Sequence, residues 1–303
     1  MTPVADAHAA TGALRLWALA VRPRTLPAAI APVLVGTALA IADDEFHALA
    51  FLAALIGSIF IQIGTNLSND YSDARRGADT EDRLGPVRVT AGGLMPPRRV
   101  LIGTYVAFGI AVLAGLYLAA ITGPELLLVG VASIAAGVLY TGGPKPYGYE
   151  GLGELFVFLF FGVVAVVGSY YVQAEELPWE AFALSVPVGL LAAAILVVNN
   201  VRDADTDRRA GKRTLAVRLG RERARELFAV MLGLSYLTVV VVPLAGGLDW
   251  WVALPLLTLP LAAPLWRTVS NRTDGPSLND ALADTGRLLG LFSLLLAAGI
   301  LLS

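Results

Sequence analysis

Residues 51–77 read FLAALIGSIFIQIGTNLSNDYSDARRG. The stretch up to Thr65 is almost wholly apolar, and it runs without a break into a polar set. Asn66, Asp70 and Asp73 follow at spacings 0, +4 and +7, with Gly77 four residues further on. That spacing puts the three side chains on one face of an α-helix. A second stretch, LLAAAILVVNNVRDADTDRRAG at 190–211, repeats the pattern. Here Asn200, Asp203 and Asp207 stand at 0, +3 and +7, Gly211 follows after four more residues, and two arginines fill the gap as before. An apolar helix that ends in a carboxylate-bearing face, twice, is the feature from which the rest is read.

The placement is unfavourable unless something offsets it. Acids at a helix C-terminus oppose the helix dipole by up to about 1 kcal/mol, and clustered like charges add to the cost. Capping does not explain them, because Asp caps the other end of a helix. Four or more carboxylates on one cavity call for a cation. The chain has no Cys and only two His, His8 and His47, both away from the Asp-rich stretches. Thiolate sites, iron–sulfur clusters, disulfides and His-based triads are therefore excluded. Oxygen donors alone suit Mg²⁺, which takes one or two carboxylates and completes its shell with water and phosphates. The basic residues among the acids, together with Arg22, Lys145 and Lys212, then read as phosphate partners.

Composition sets the surroundings. Of 303 residues, 56% are hydrophobic and 15% charged, and the mean hydropathy is +0.70. Soluble domains carry about 25% charged residues, so this is the composition of an integral membrane protein. Nine apolar stretches of spanning length are expected, at 26–42, 47–65, 100–120, 124–141, 152–172, 180–200, 226–245, 249–266 and 286–302. Residues 11–21 read as an interfacial helix, ended by RPRTLP at 22–27. No cleavable signal peptide is expected, since no Lys or Arg precedes Arg15.

Charge distribution tests the span count. With nine spans, all 22 Lys and Arg fall on the face that holds the N-terminus and the connections after spans 2, 4, 6 and 8. The other face holds only acids, among them Asp43, Glu125, Glu175 and Asp249. The positive-inside rule makes the basic face cytoplasmic. The expected organisation is thus a single transmembrane domain over 1–303 in the cell membrane. A cytoplasmic arm occupies 1–25, and cytoplasmic Asp-rich loops occupy 66–99 and 201–225. With a formal charge of −2 spread in this way, no nucleic-acid partner is expected. The echo between the two polar stretches points to two similar four-helix halves plus one helix.

Asn69, Asp70 and Asp73 in one stretch, and Asp203 and Asp207 in the other, resemble the N-D-x-x-D and D-x-x-x-D motifs of the UbiA superfamily of intramembrane prenyltransferases. The likeness runs over nearly the whole chain. It departs at Gly77, where many members carry a third Asp; Asp79 follows two residues later. RPRTLPAAIAPVLVGTALA from Arg22 and YTGGPKPYGYEGLGE from Tyr140 resemble the branch that prenylates 1,4-dihydroxy-2-naphthoate in menaquinone synthesis.

The resemblance implies an all-α bundle of nine transmembrane helices and a Mg²⁺-dependent aromatic prenyltransferase. A polyprenyl diphosphate would donate its chain to the naphthoate, with loss of diphosphate and carbon dioxide, towards demethylmenaquinone. It implies Asp70, Asp73, Asp203 and Asp207 as catalytic metal ligands, with Asp79 as a candidate for the missing position. Asn66, Asn69, Arg22, Arg75, Tyr140, Lys145, Asn200 and Lys212 would contact the substrates. Another acceptor within the superfamily, such as 4-hydroxybenzoate, homogentisate or a lipid, fits the same motifs, and a transporter is the rival from outside it.

Overall fold

The computed structural model describes residues 12–78 and 84–303, and among them there is helix and no strand. Expectations that fall on Asp79 and His8 lie outside the described residues. The helices are α1 (Ala13–Val21), α2 (Pro27–Ala42), α3 (Ala48–Arg76), α4 (Pro97–Ile121), α5 (Glu125–Leu139) and α6 (Gly153–Ala174). They continue as α7 (Trp179–Arg209), α8 (Leu215–Leu219), α9 (Arg221–Ala245), α10 (Trp250–Asn271) and α11 (Gly275–Leu301).

Each of the nine apolar stretches falls on a helix, but not all of these reach spanning length. Seven (α3, α4, α6, α7, α9, α10 and α11) are long and apolar enough to cross a membrane. α2 makes an eighth when joined to α1 across a 50° bend, and α5 is a shorter apolar helix of 15 residues. The bend falls where RPRTLP predicts it. Arg22 takes the left-handed conformation, Pro23–Thr25 form a single 3₁₀ turn, and Pro27 opens α2. Proline suits a first helical turn because its missing N–H would be unbonded there anyway.

The two Asp-bearing helices run well past their apolar parts. Helix continues through the polar set to Arg76 in α3 and to Arg209 in α7. The connections therefore begin at 77 and 210, rather than at 66 and 201 as expected. Nothing in either polar set breaks a helix until glycine arrives. Gly77 ends α3 in the left-handed conformation, with its N–H bonded back to Ala74 and Asp73 carbonyls.

The main core is built by α2, α6, α7, α9 and α11, with Val35, Leu191, Val198, Phe228 and Phe292 all buried. α3 packs most extensively on α4, the next long helix, and α7 packs most extensively on α9, the next long helix after it. The two motif helices thus repeat one pairing. α11 closes the bundle against α2. Where α6 crosses α7, Gly162 and Gly189 meet so closely that a Cβ on Gly162 would lie 2.7 Å from the Gly189 Cα. α6 widens into a π-helical segment, Phe158–Val164, at this crossing. A smaller core of Ala20, Leu67, Val89, Met95 and Val100 joins α1, α3, α4 and the connection between α3 and α4.

Candidate active site

The C-terminal ends of α3 and α7 open into one cavity of about 670 Å³, well within the range of small-molecule sites. One end is polar. α3 contributes Asn66, Asn69 and Asp73, and α7 contributes Asn200, Asp203 and Asp207. Arg22, Arg88, Tyr140, Tyr149 and Lys212 complete that end from the connections. The rest is mostly apolar, lined by residues such as Leu116, Leu127, Ile134, Phe160 and Val164.

A short chain of contacts joins the two motifs. The Asp73 carboxylate accepts from the Tyr149 hydroxyl at 2.5 Å through Oδ1, and from Arg88 Nη2 at 3.3 Å through Oδ2. Lys212 Nζ sits 4.9 Å from the Tyr149 ring centre and 3.9 Å from Asp207 Oδ1. An ammonium over an aromatic face is favourable, more so where water is excluded. Thr214 donates to Asp207 Oδ2 at 3.5 Å. Asp203 is held by Arg202, whose Nε and Nη2 reach its two oxygens at 2.8 and 2.6 Å. Two further donors of Arg202 go to Asn279 at 2.7 Å and Asn199 at 2.8 Å. A buried ion pair is tolerated when its geometry is good and its other hydrogen bonds are satisfied, and Arg202 meets both conditions.

The other expected residues divide. Asn200 gives its amide N–H to Glu154 at 2.7 Å, which leaves the Asn200 oxygen for the cavity. Glu154 is buried and holds that amide from α6. Asn69 accepts from Thr141 at 2.9 Å. Asn66 donates to the Val21 carbonyl and to Thr25, tying α3 to the α1–α2 elbow. Arg22 lies in that elbow at φ 56° and lines the cavity. A left-handed non-glycine residue costs free energy and is characteristic of functional sites.

Tyr140 lines the cavity and meets Tyr147 edge-on at 5.5 Å, and Tyr147 stacks on Phe156 at 4.1 Å. Burial pushes the Tyr147 hydroxyl well above its ordinary pKa. It therefore stays a donor, and the Ala136 carbonyl accepts from it at 2.9 Å.

Three expectations are corrected. Arg75 is exposed and packs over Tyr71, away from the cavity; one turn beyond Tyr71, it faces outward from α3. Lys145 is exposed and does not line the cavity. Of the bases that reach its loop from elsewhere, Lys212, over Tyr149, is one that lines the cavity. Asp70 is 1% exposed and absent from the cavity wall, with both oxygens taken by backbone N–H groups of Val89 and Thr90.

Sequence reasoning missed Arg88, Tyr149, Arg202 and Asn279. Arg202 had one available signal: it sits one turn after Asn199 and next to Asp203, within the helical stretch that carries the motif.

The donors facing the cavity are carboxylate and amide oxygens, the chemistry of a hard cation. Among the described residues no three acidic or His side chains gather closely enough to hold an ion unaided. Mg²⁺ does not require such a cage, since water and phosphate complete its shell. The residues therefore fit that ion.

Residues 29–282 match the UbiA prenyltransferase family. The chain is 43% identical over 287 residues to the 1,4-dihydroxy-2-naphthoate octaprenyltransferase of Mycobacterium tuberculosis, covering 94% of this chain and 96% of that protein. It is 41% identical to the Mycobacterium leprae protein of the same name, covering 95% and 96%. Its fold is similar to that of a solved UbiA homologue from Archaeoglobus fulgidus bound to DMAPP and Mg²⁺, with a TM-score of 0.69 at 18% identity over 94% of this chain and 98% of that one. This chain belongs to the UbiA prenyltransferase family and is a multi-pass membrane protein.

Proposed function

We propose that the chain transfers a polyprenyl group from a polyprenyl diphosphate to 1,4-dihydroxy-2-naphthoate, as the names of its mycobacterial relatives indicate for them. The observation that carries this reading is the meeting of Asp73, Asp203 and Asp207 over one cavity that is cationic beside the carboxylates and mostly apolar beyond them. A diphosphate headgroup with a long hydrocarbon tail has the same two parts.

Asp73, Asp203, Asp207, Asn69 and Asn200 would face Mg²⁺ and its waters. The bound ion would supply charge neutralisation for the departing diphosphate. Arg22, Arg88 and Lys212 add fixed positive charge at the same end, where preorganised electrostatics favours a leaving anion. Ionisation of the allylic C–O bond then needs no protein nucleophile, in keeping with a site that holds neither Cys nor His. The electron-rich ring attacks the allylic carbon, and loss of its carboxylate as carbon dioxide returns the electron pair to the ring. The Tyr140–Tyr147–Phe156 row offers a face on which a naphthalene ring can stack. Counting α2 and α5 as short spans would give nine crossings, and the positive-inside rule then supports a cytoplasmic position for this polar end in the cell membrane.

The test is to incubate membranes holding the protein with polyprenyl diphosphate, Mg²⁺ and carboxyl-labelled 1,4-dihydroxy-2-naphthoate. Equal release of diphosphate and labelled carbon dioxide is expected. Turnover with 4-hydroxybenzoate but not with the naphthoate would move the assignment to another acceptor, and no release with any acceptor would overturn it.

A further inference from the structure

Asp70 is as deeply buried as Asp73, yet it does not line the cavity. Its Oδ1 accepts from the Thr90 N–H at 2.9 Å and its Oδ2 from the Val89 N–H at 3.2 Å. These two amides belong to the connection that precedes α4, so both oxygens grip consecutive residues of one loop. The residue just before them is Arg88, which turns back into the cavity and reaches Asp73 Oδ2 at 3.3 Å. We propose that Asp70 is a positioning residue, which fastens the 84–95 loop so that Arg88 is delivered to the diphosphate end of the cavity.

Three further observations support a built device. Asp70 and Asp73 are three residues apart on α3, so the carboxylate that holds the loop and the one that meets Arg88 share a face one turn apart. Val89 and Met95 are buried against Leu67 and Val100, so the loop has an apolar anchor beneath the two hydrogen bonds. The start of the loop is fastened from the other motif. Asn279 donates to the Leu84 carbonyl at 3.0 Å and accepts from Arg202, which itself holds Asp203. The loop is thus pinned at Leu84 through the second motif and at Val89 and Thr90 by the first. Arg88 stands between the two fastenings.

This inference rests on the diphosphate reading of the site, and its test separates the two. Asp70→Asn keeps the size of the side chain but turns one acceptor into a donor facing an N–H. Losing a hydrogen bond to a charged group weakens an interaction by about 10- to 100-fold. In steady-state assays, Asp70→Asn is expected to raise the KM for prenyl diphosphate by about that factor. The Mg²⁺ concentration for half-maximal activity should stay as in the wild type, whereas Asp73→Asn should shift it. In an Arg88→Ala background, Asp70→Asn should add less than about twofold, because residues acting through one contact are not additive.

Binding of inorganic pyrophosphate with Mg²⁺, followed by calorimetry on the purified protein, reads the same loss without any acceptor. It decides the inference even if the acceptor assignment fails. A shift in Mg²⁺ dependence for Asp70→Asn like that of Asp73→Asn, or multiplication of the Asp70 and Arg88 effects, would overturn it. Should Asp70→Asn not fold, Arg88→Ala alone still decides: unchanged pyrophosphate binding in that variant would overturn the inference.

Discussion

Replacing Arg202 tests whether the second motif is held by a buried cation. Arg202 is 2% exposed and makes two bonds to Asp203 and one each to Asn199 and Asn279, all at 2.6–2.8 Å. Removing one partner of such a pair strands the other charge, which typically costs about 3–5 kcal/mol. Arg202→Met should therefore lower stability by about that amount. If the same disorder reaches Asp203 in the transition state, kcat/KM falls by about 10²- to 10³-fold. Arg202→Lys keeps the charge, but one ammonium cannot reproduce the two-pronged grip on a carboxylate and reach both asparagines. It should retain more stability than the Met variant while activity stays well below wild type. Arg202→Met with Asp203→Asn removes both charges, so stability should recover while activity stays lost. Thermal melting of the solubilised protein and diphosphate release, measured on the same preparations, give both quantities. Wild-type activity in Arg202→Met, or a double variant no more stable than the single one, would refute the reasoning.

Four other outcomes are expected. Asp73→Asn should reduce diphosphate release by at least about 10²-fold with membrane insertion intact, whereas Lys145→Ala, outside the cavity, should leave kcat and KM within about twofold; diphosphate assays on membranes check both. Tyr149→Phe removes the 2.5 Å hydrogen bond to Asp73 but keeps the ring under Lys212, so a loss of about tenfold is expected in the same assay, with a smaller effect than Tyr149→Ala. Chelation of divalent ions should abolish turnover, and added Mg²⁺ should restore it fully, with Ca²⁺ a poor substitute because it prefers more ligands at longer distances.

The parts of this site that could be read from the sequence are those carried by helical spacing. Asn66, Asp73, Asn200, Asp203 and Asp207 line one cavity, as their 0, +3 or +4, and +7 spacings lead one to expect. What spacing does not carry is the partner of each group across elements. Asp70 obeys the same helical pattern as its neighbours, yet its partners are amides of a loop about twenty residues away. Lys145 stood out as the only base in its loop, but position in three dimensions favours Lys212, which enters from the far side of Tyr149. Arg202 was hidden among surface arginines because burial is not a property of residue type. Span length was misjudged for a related reason. Hydropathy marks where lipid is met, but the helix follows its backbone into the polar stretch until glycine stops it.

The distribution of charge through the cavity separates the enzyme from a transporter. A transport path needs polar or ionisable groups along its length, since an ion gains nothing from an apolar wall and costs several kcal/mol to desolvate. Asp73, Asp203 and Asp207 are the only acidic residues that line this cavity among the described residues, and all three stand at its polar end. Two acids of the opposite face are engaged locally, Asp43 with Tyr170 and Glu125 with Tyr171. Between the two faces the wall carries no charge: it is mostly apolar, with Leu, Ile, Val and Phe interrupted by Gln62, Ser58, Ser133 and Ser169. Such a wall stabilises a buried hydrocarbon by about 0.8 kcal/mol per CH₂ and gives a hydrated ion no foothold. Introducing a carboxylate there, as in Leu116→Asp, separates the cases by experiment. A prenyl-binding wall should lose affinity for long-chain diphosphates far more than for inorganic pyrophosphate, whereas an ion path should gain conductance or show no chain-length dependence at all.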